Sequence, residues 1–437
     1  MKRIILMCVL IASVLYSCSE IDSGSDKGQL YPDLSTLGLT KAHSEIASGQ
    51  MDFGVDFFKK IAEKSNLDNV LVSPFSMSLD LSMLASGATD QTYNELVSCM
   101  GFKDFTPKQI GEYYSAILNN DCSDQETMFK SANALWVNTN AGLSPSLIVK
   151  DSFKNEVKNL YDADVQSFDF GIAQMTKVIN DWAKDNTDGL IDKVISVEPE
   201  PLAAALLTNA LYFNGKWADG PFSKTVKDFV NIEGEHSEHD YFKGSTYALG
   251  YNTEWKMKKE PAVIAIPYGK PYENNNFRFF IIVPPATDSF AGFVNNLSAS
   301  KIRKWMKNLV IGADPQTAPE VKMNFYVPMF QNDFSSDKGL CKTALKEMGI
   351  NRIFGPNAQL SKISDGDILV SRMVQKTSIG VDEKGTVAAA VSYIEISGPT
   401  GIPPQVREYD FVVNRPFVYM IMDDYQSILF MGTVTSL

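Results

Sequence analysis

The chain switches between two hydrophobic periods, and the switches mark its elements. From Met51, "MDFGVDFFKKIAEK" repeats every three to four residues. That spacing predicts a helix with Phe53, Phe57, Phe58 and Ile61 on one face and Lys59, Lys60 and Lys64 largely outside it. "NVLVSPFSMSLDLSMLASGA" reads as a short β-run and a helix start, with Ser73 at the cap and Pro74 in the first turn, where a missing amide hydrogen costs nothing. Its residues are apolar or small nearly all round, so this helix is expected to be buried. "TDQTYNELVSCMG" predicts a third helix, with Tyr93, Leu96, Val97 and Met100 inward and Gly101 as the stop.

Further on, "SANALWVN" reads as a strand, and "MTKVINDWAKDNTDGLID" as a helix with Val178, Ile179 and Trp182 on one stripe. "AALLTNALYFNGKW" has the continuous apolar character of a central strand. "AVIAIPY", "FRFFIIVPP" and "VKMNFYVPMF" are further strands, and "GLCKTALKEMGI" is a short helix. The end, "PFVYMIMDDYQSILFMGTV", predicts a hairpin of buried strands around "DDYQS". Helices gather early and strands late, which predicts an α+β fold with a large sheet. One stretch fits neither class: "VDEKGTVAAAVSYIEIS", Val381 to Ser397, alternates like a buried strand yet runs into "GPTGIPP", which reads as exposed loop.

The composition changes little in this picture. With 437 residues, 44% of them hydrophobic, there is material for a sizeable core, and no internal linker or repeat divides it. A net charge of −12 argues against nucleic acid as a partner, because a phosphate-binding surface needs clustered Lys and Arg. The N-terminus is more informative. Lys2 and Arg3 precede "IILMCVLIASVL", too short for a comfortable membrane span but right for a signal-peptide core. The run ends in "LYSC", which resembles the bacterial lipobox, whose cysteine is lipidated and becomes the new N-terminus. That resemblance implies a signal peptide over 1–17, a lipidated polar tether over 18–42 beginning at Cys18, and one domain over 43–437. The protein is then expected to be exported and held on the outer membrane, facing the periplasm or the cell surface, through its lipid alone. Cys99, Cys122 and Cys341 remain, an odd number, so at least one is unpaired or none are bridged.

Catalytic chemistry is hard to find. A Ser–His–Asp or Cys–His nucleophile needs a histidine base, and the only histidines are His43, His236 and His239. His236 and His239 in "EGEHSEHDYF" sit near Glu235, Glu238 and Asp240, but without HExxH or CxxC a solvated polar loop is the favoured reading. No phosphate-binding glycine loop is present. No catalytic residue, metal or cofactor is assigned, and the chain is not expected to be an enzyme.

Five segments, in one consistent order, resemble the serpins, inhibitors of serine and cysteine proteases. "NVLVSPFSMSLDLSMLASGATDQTYNEL" looks like the family's Ser-Pro-x-Ser helix, and "INDWAKDNTDGLID" like its Ile-Asn-x-Trp segment. "TNALYFNGKWADGPF" is similar to its Asn-Ala-x-Tyr-Phe-x-Gly-x-Trp signature. "VDEKGTVAAA" resembles its hinge and "RPFVYMIMDDYQSILFMGTV" its terminal hairpin, so the likeness spans roughly 45–437. The resemblance implies a serpin fold, helices on large mixed β-sheets, with an exposed reactive-centre loop over about 383–407. It further implies a monomeric suicide inhibitor in which the cleaved loop inserts into the central sheet and traps the acyl-enzyme. The alternatives are a noninhibitory serpin acting as a surface binding protein and a metal-dependent hydrolase using His236 and His239.

Insertion as a strand requires alternate residues to face a packed interior. One face reads Thr386, Ala388, Ala390, Ser392, Ile394, Ile396, with no charge; the other reads Val387, Ala389, Val391, Tyr393, Glu395, Ser397. Glu383 and Gly385 begin the hinge, Gly385 being expected to supply backbone freedom. Ser73, Ser76, Asn209 and Gln375 match the region where the sheet opens, Gln375 standing where relatives often have histidine, and Trp217 matches the tryptophan near the top of the sheet. The residue sixteen beyond Glu383 is Pro399. The downstream "IPP" resembles a serpin pattern that would place the reactive bond at Thr400–Gly401, ahead of Pro399–Thr400 and Ile396–Ser397. Arg407 lies too far on for a trypsin-like target, so the expected partner is an elastase-like or subtilisin-like protease.

Overall fold

Thr40 caps helix α1 (Lys41–Lys64), its hydroxyl accepting the His43 amide at 3.2 Å. The computed structural model describes residues 40–119, 126–140, 147–247, 260–269, 277–307, 309, 321–336, 339–386 and 407–437. Helix α1 thus begins two residues inside the stretch expected to be tether, and Phe53, Phe57, Phe58 and Ile61 are buried as their spacing predicts. Helix α2 (Pro74–Gly87), capped by Ser73, is buried along its whole length. Its serines fit there because they donate back to carbonyls of their own helix, Ser78 to Phe75, Ser82 to Ser78 and Ser86 to Met83. Helices α3 (Asp90–Cys99), α4 (Pro107–Asn119) and α5 (Asp151–Tyr161) pack around it. The remaining α-helices among the described residues are α6 (Met175–Asn186), α7 (Phe290–Asn295), α8 (Ala299–Lys307) and α9 (Leu340–Glu347).

The described strands form three sheets. The first runs β1 (Leu71–Val72), β15 (Ile428–Val434), β14 (Phe417–Asp423), β8 (Phe277–Val283), β7 (Ala262–Pro267). Its strands β8, β14 and β15 are buried at every residue, which is why they read as unbroken apolar runs. The second runs β13 (Arg407–Val412), β9 (Val321–Pro328), β6 (His236–Tyr247), β5 (Ser223–Val230). "VKMNFYVPMF" is therefore not one strand: it breaks at Met329, whose amide still donates to the Asp240 carbonyl of β6 at 2.9 Å before Phe330 pairs in another sheet. Its second part begins β10 (Phe330–Ser335), which belongs to the third sheet.

That third sheet positions the site. Its order is β10, β11 (Arg372–Val381), β12 (Gly385–Thr386), β4 (Ala205–Lys216), β2 (Thr127–Asn138), β3 (Ala163–Phe168). Strands β2 and β3 lie in the first half of the chain, so this sheet is not a late-sequence feature. Alternate residues serve two cores. Leu207, Leu211, Phe213, Met373, Ile379 and Val381 enter the main core that holds α2. Leu206, Ala210, Val374 and Trp136 face the other way, against Ile179, Trp182 and Ala183 of α6. Helix α6 thus lids one half of the outer face.

Candidate functional site: a forked seam in the sheet

Strands β4 and β11 run parallel and pair over only part of their length. Arg372–Lys376 ladder with Leu206–Ala210, and there the direct pairing stops. At the far end β12 lies between them, Thr386 pairing antiparallel with Gly215 on one side and Val381 on the other. Between the two zones lie four rows, Leu211–Asn214 level with Thr377–Gly380, in which no described strand fills the seam. The inner face of these rows is apolar or small, with Leu211, Phe213, Thr377 and Ile379 all buried, while Tyr212, Asn214 and Ser378 on the outer face reach solvent.

A polar clamp holds the closed rows together. The Gln375 side chain accepts from the Ser73 amide at 2.8 Å and donates to the Ser73 carbonyl at 2.9 Å, so one planar amide fixes the start of α2 to β11. The Ser73 hydroxyl donates to the Ser76 hydroxyl at 2.9 Å and accepts the Ser76 amide at 3.2 Å. Asn209 sits opposite Gln375 in the same row and donates to Asn133 of β2. Its Oδ1 is buried with no hydrogen-bond partner among the described residues. The structure therefore brings Ser73, Ser76, Asn209 and Gln375 together beneath the fork.

Segment Asp382–Thr386, the expected hinge, is seated at the top of the seam. Asp382 Oδ1 accepts the amides of Lys384 (2.8 Å) and Gly385 (3.2 Å), closing a tight Asx-type turn out of β11. Trp217 grips that turn twice, through its amide to the Lys384 carbonyl (3.0 Å) and its indole to the Asp382 carbonyl (2.9 Å). Glu383 pairs with Lys224 of β5 at 3.2 Å, and its carbonyl accepts the Phe222 amide at 2.7 Å. Gly385 also meets a packing requirement that the sequence does not carry. A Cβ there would lie 2.0 Å from the Gly215 carbonyl oxygen, so close approach of two backbones, and not a left-handed φ, demands glycine. Thr386 is buried and its hydroxyl bonds that of Tyr268.

Asp382, Lys224 and Tyr268 escaped the reading of the sequence. Only Asp382 carries a signal, an Asp three residues before a Gly, the spacing of a tight turn. Ala388, Ala390, Ile396, Ser397, Pro399, Thr400, Gly401 and Cys18 lie outside the described residues. The histidines of "EGEHSEHDYF" are not in a loop: both are on β6, three positions apart and so on opposite faces. His236 Nδ1 meets Asp228 at 2.6 Å and His239 Nε2 meets the Ser237 hydroxyl at 2.8 Å, so the two do not converge on one ligand position. Cys99 and Cys341 are free thiols, both pushed up to about 12 by burial.

A family model described as serpin (serine protease inhibitor) matches residues 48–437. The chain is a serpin. Leukocyte elastase inhibitor of Sus scrofa is 26% identical over 406 residues, covering 90% of this serpin and 99% of the relative. A serine protease inhibitor of Cyanea capillata is 28% identical over 399 residues, covering 89% and 98%. Among solved structures, the thermophilic serpin Tengpin in its native state matches with a TM-score of 0.76 at 26% identity, over 90% of this chain and 94% of that one. Human thyroxine-binding globulin, complexed with its hormone, shares the fold at a TM-score of 0.75 and 24% identity, over 90% and 99%. The serpin fold is thus shared by proteins named as inhibitors and by a thyroxine-binding globulin, and the fold alone does not choose between them.

Proposed function

We propose that this serpin is a suicide inhibitor of serine proteases, with cysteine proteases as a second target class, in which segment 387–396 fills the seam between β4 and β11 after cleavage. The observation that supports this is the seated segment 382–386 above four rows that no described strand fills. Continuing the antiparallel register of Thr386, each further residue descends one row. Ala388 comes level with Phe213 and Ile379, Ala390 with Leu211 and Thr377, Ser392 with Asn209 and Gln375, and Ile394 with Leu207 and Met373. The uncharged face of the segment is the one that turns inward, and the Ser392 hydroxyl arrives beside the unpartnered Asn209 Oδ1.

Residues 387–390 enter rows that no described strand fills; from Val391 onward the five closed rows and the Gln375 clamp must part. At about 3.3 Å per residue the segment lays roughly 33 Å of new strand. In the reaction the protease's serine hydroxyl attacks the Thr400 carbonyl, the Thr400–Gly401 bond breaks, and Gly401 leaves as a new amino terminus. The acyl ester on Thr400 is then carried away with the inserting strand before water can hydrolyse it. The target is an elastase-like or subtilisin-like enzyme, met by a monomer exported and lipid-anchored through Cys18.

Mixing the purified protein with one elastase-like and one subtilisin-like protease tests this directly. A boiling-resistant complex and a released C-terminal peptide starting at Gly401 are expected. Clean cleavage with full protease activity retained would refute the inhibitory reading. Mass spectrometry of the membrane-extracted chain should show a lipidated Cys18 at its N-terminus, and an unmodified N-terminus there would refute the anchor.

A further inference from the structure

Thr386 is an odd residue to find in the inner face of the sheet. It is 1% exposed, level with Gly215 and Val381, and a hydroxyl taken that deep is costly unless it is bonded. Its partner is the Tyr268 hydroxyl, which does not belong to this sheet at all. Tyr268 follows β7 and is fixed from several sides. Its ring stacks on Trp217 at 4.7 Å and 16° and meets Phe213 edge-on at 4.9 Å. Its backbone bridges Trp217 and donates to the Phe277 carbonyl at 3.1 Å. The phenol is therefore presented at one place, the row that the hinge occupies.

We infer that Tyr268 is the positioning residue that keeps the hinge seated in the sheet, so that insertion starts from a rung already closed. This rests on the inhibitory reading above for its consequence, but the seating itself is a property of the free protein. With the bond made, the backbone of Gly385 and Thr386 is already ordered, and residue 387 adds to an existing strand end. Without it, the Thr386 hydroxyl is left unbonded in its buried row between Gly215 and Val381, and the hinge leaves the sheet. Insertion must then begin again while the acyl-enzyme is exposed to water, and more of each encounter ends as simple cleavage.

The test is hydrogen–deuterium exchange over 382–386 in the full-length protein, together with the number of inhibitor molecules consumed per protease inactivated. Tyr268→Phe keeps the ring stack and removes only the hydroxyl. It should speed exchange at the hinge by roughly 5- to 30-fold and raise the consumption ratio several-fold. Adding Thr386→Val to Tyr268→Phe replaces both polar partners by apolar ones and should restore slow exchange. A general packing role for Tyr268 would not be rescued in that way. Unchanged exchange in Tyr268→Phe, or a double variant as loose as the single, overturns the inference. If Tyr268→Phe is too loose to purify while the double variant behaves as wild type, the inference stands; if both fail to fold, it falls. A wild-type chain that forms no stable complex refutes the proposed function, and hinge exchange still decides this one.

Discussion

Placing the same acid one residue apart should give opposite outcomes. Ala388, once inserted, lies level with Phe213 and Ile379, which are 4% and 2% exposed. Ala389 lies level with Tyr212 and Ser378, half-buried and exposed. In Ala388→Asp the carboxylate has no cation in its row, and leaving a charge buried and unpaired costs about 3–5 kcal/mol. At about 1.4 kcal/mol per tenfold, that slows passage of this row by roughly 100- to 1,000-fold or more. In Ala389→Asp the charge stays in water and the change is worth about 0.5 kcal/mol at most. The assay is titration of a susceptible protease, with boiled gels separating covalent complex from cleaved inhibitor. Ala388→Asp should be cleaved as a substrate with almost no complex, and Ala389→Asp should inhibit nearly as wild type. Equal effects would refute the register, and the reversed pattern would mean that the strand enters slipped by one residue, with its faces exchanged.

Other outcomes follow from residues around the seam and the core. Gln375→Ala leaves the Ser73 amide and carbonyl without their clamp, and urea unfolding should show a loss of about 2–4 kcal/mol; an unchanged midpoint would remove the clamp from the account. Gly385→Ala places a methyl 2.0 Å from the Gly215 oxygen, so the hinge should leave its row and become open to nonspecific proteolysis near Lys384. A hinge as resistant as wild type would show that the two backbones are not in contact. Asp423, buried at the β14 turn, has its carboxyl pushed up to about 7 by burial, against backbone and side-chain hydrogen bonds from Ser427. The folded state then binds more protons than the unfolded chain, so this group's stabilisation is full below about pH 4 and is lost as pH rises towards 7, by up to about 1.4 kcal/mol per unit. Asp423→Asn should lose less stability than wild type between pH 4 and 7, and parallel pH profiles would contradict the assignment.

Much of this was legible in the sequence wherever one residue's environment is set by its near neighbours. The faces of α1, the buried α2 behind its Ser-Pro start, and the terminal hairpin all follow from local spacing. The polar residues under the fork were reached only through the family resemblance, because Ser73 and Gln375 are 302 positions apart and no period connects them. Tyr268 and Lys224 were missed for the same reason: each meets the hinge from a different sheet. The packing role of Gly385 was not legible, since a close backbone contact and a flexible hinge leave the same letter in the chain. The strand broken at Met329 was joined because alternation continues through it, and alternation does not say which sheet receives each half.

The double character of Val381–Ser397 has a physical source in the proposed insertion. Its inner face must suit one buried environment throughout, and it reads cleanly as uncharged. Its outer face reads as mixed in the sequence because it would cross three environments. In the upper rows Val387 and Ala389 would lie beside half-exposed Asn214 and Tyr212. Lower down, Tyr393 would come level with buried Thr208 and Val374, on the side covered by α6. Last, Glu395 would come level with Leu206 and Arg372, whose guanidinium is partly desolvated and donates to the Val197 carbonyl at 3.0 Å. An acid arriving there meets a cation held at the edge of an apolar layer, where charge-assisted pairing is stronger than in open solvent. Small, then aromatic, then acidic is the order in which the sheet's outer neighbours change from solvent to α6 to Arg372. Glu395→Lys should therefore weaken the inserted state although it touches no protease-facing residue of the seam. A cleaved form as heat-stable in Glu395→Lys as in wild type would show that the strand stops short of that row.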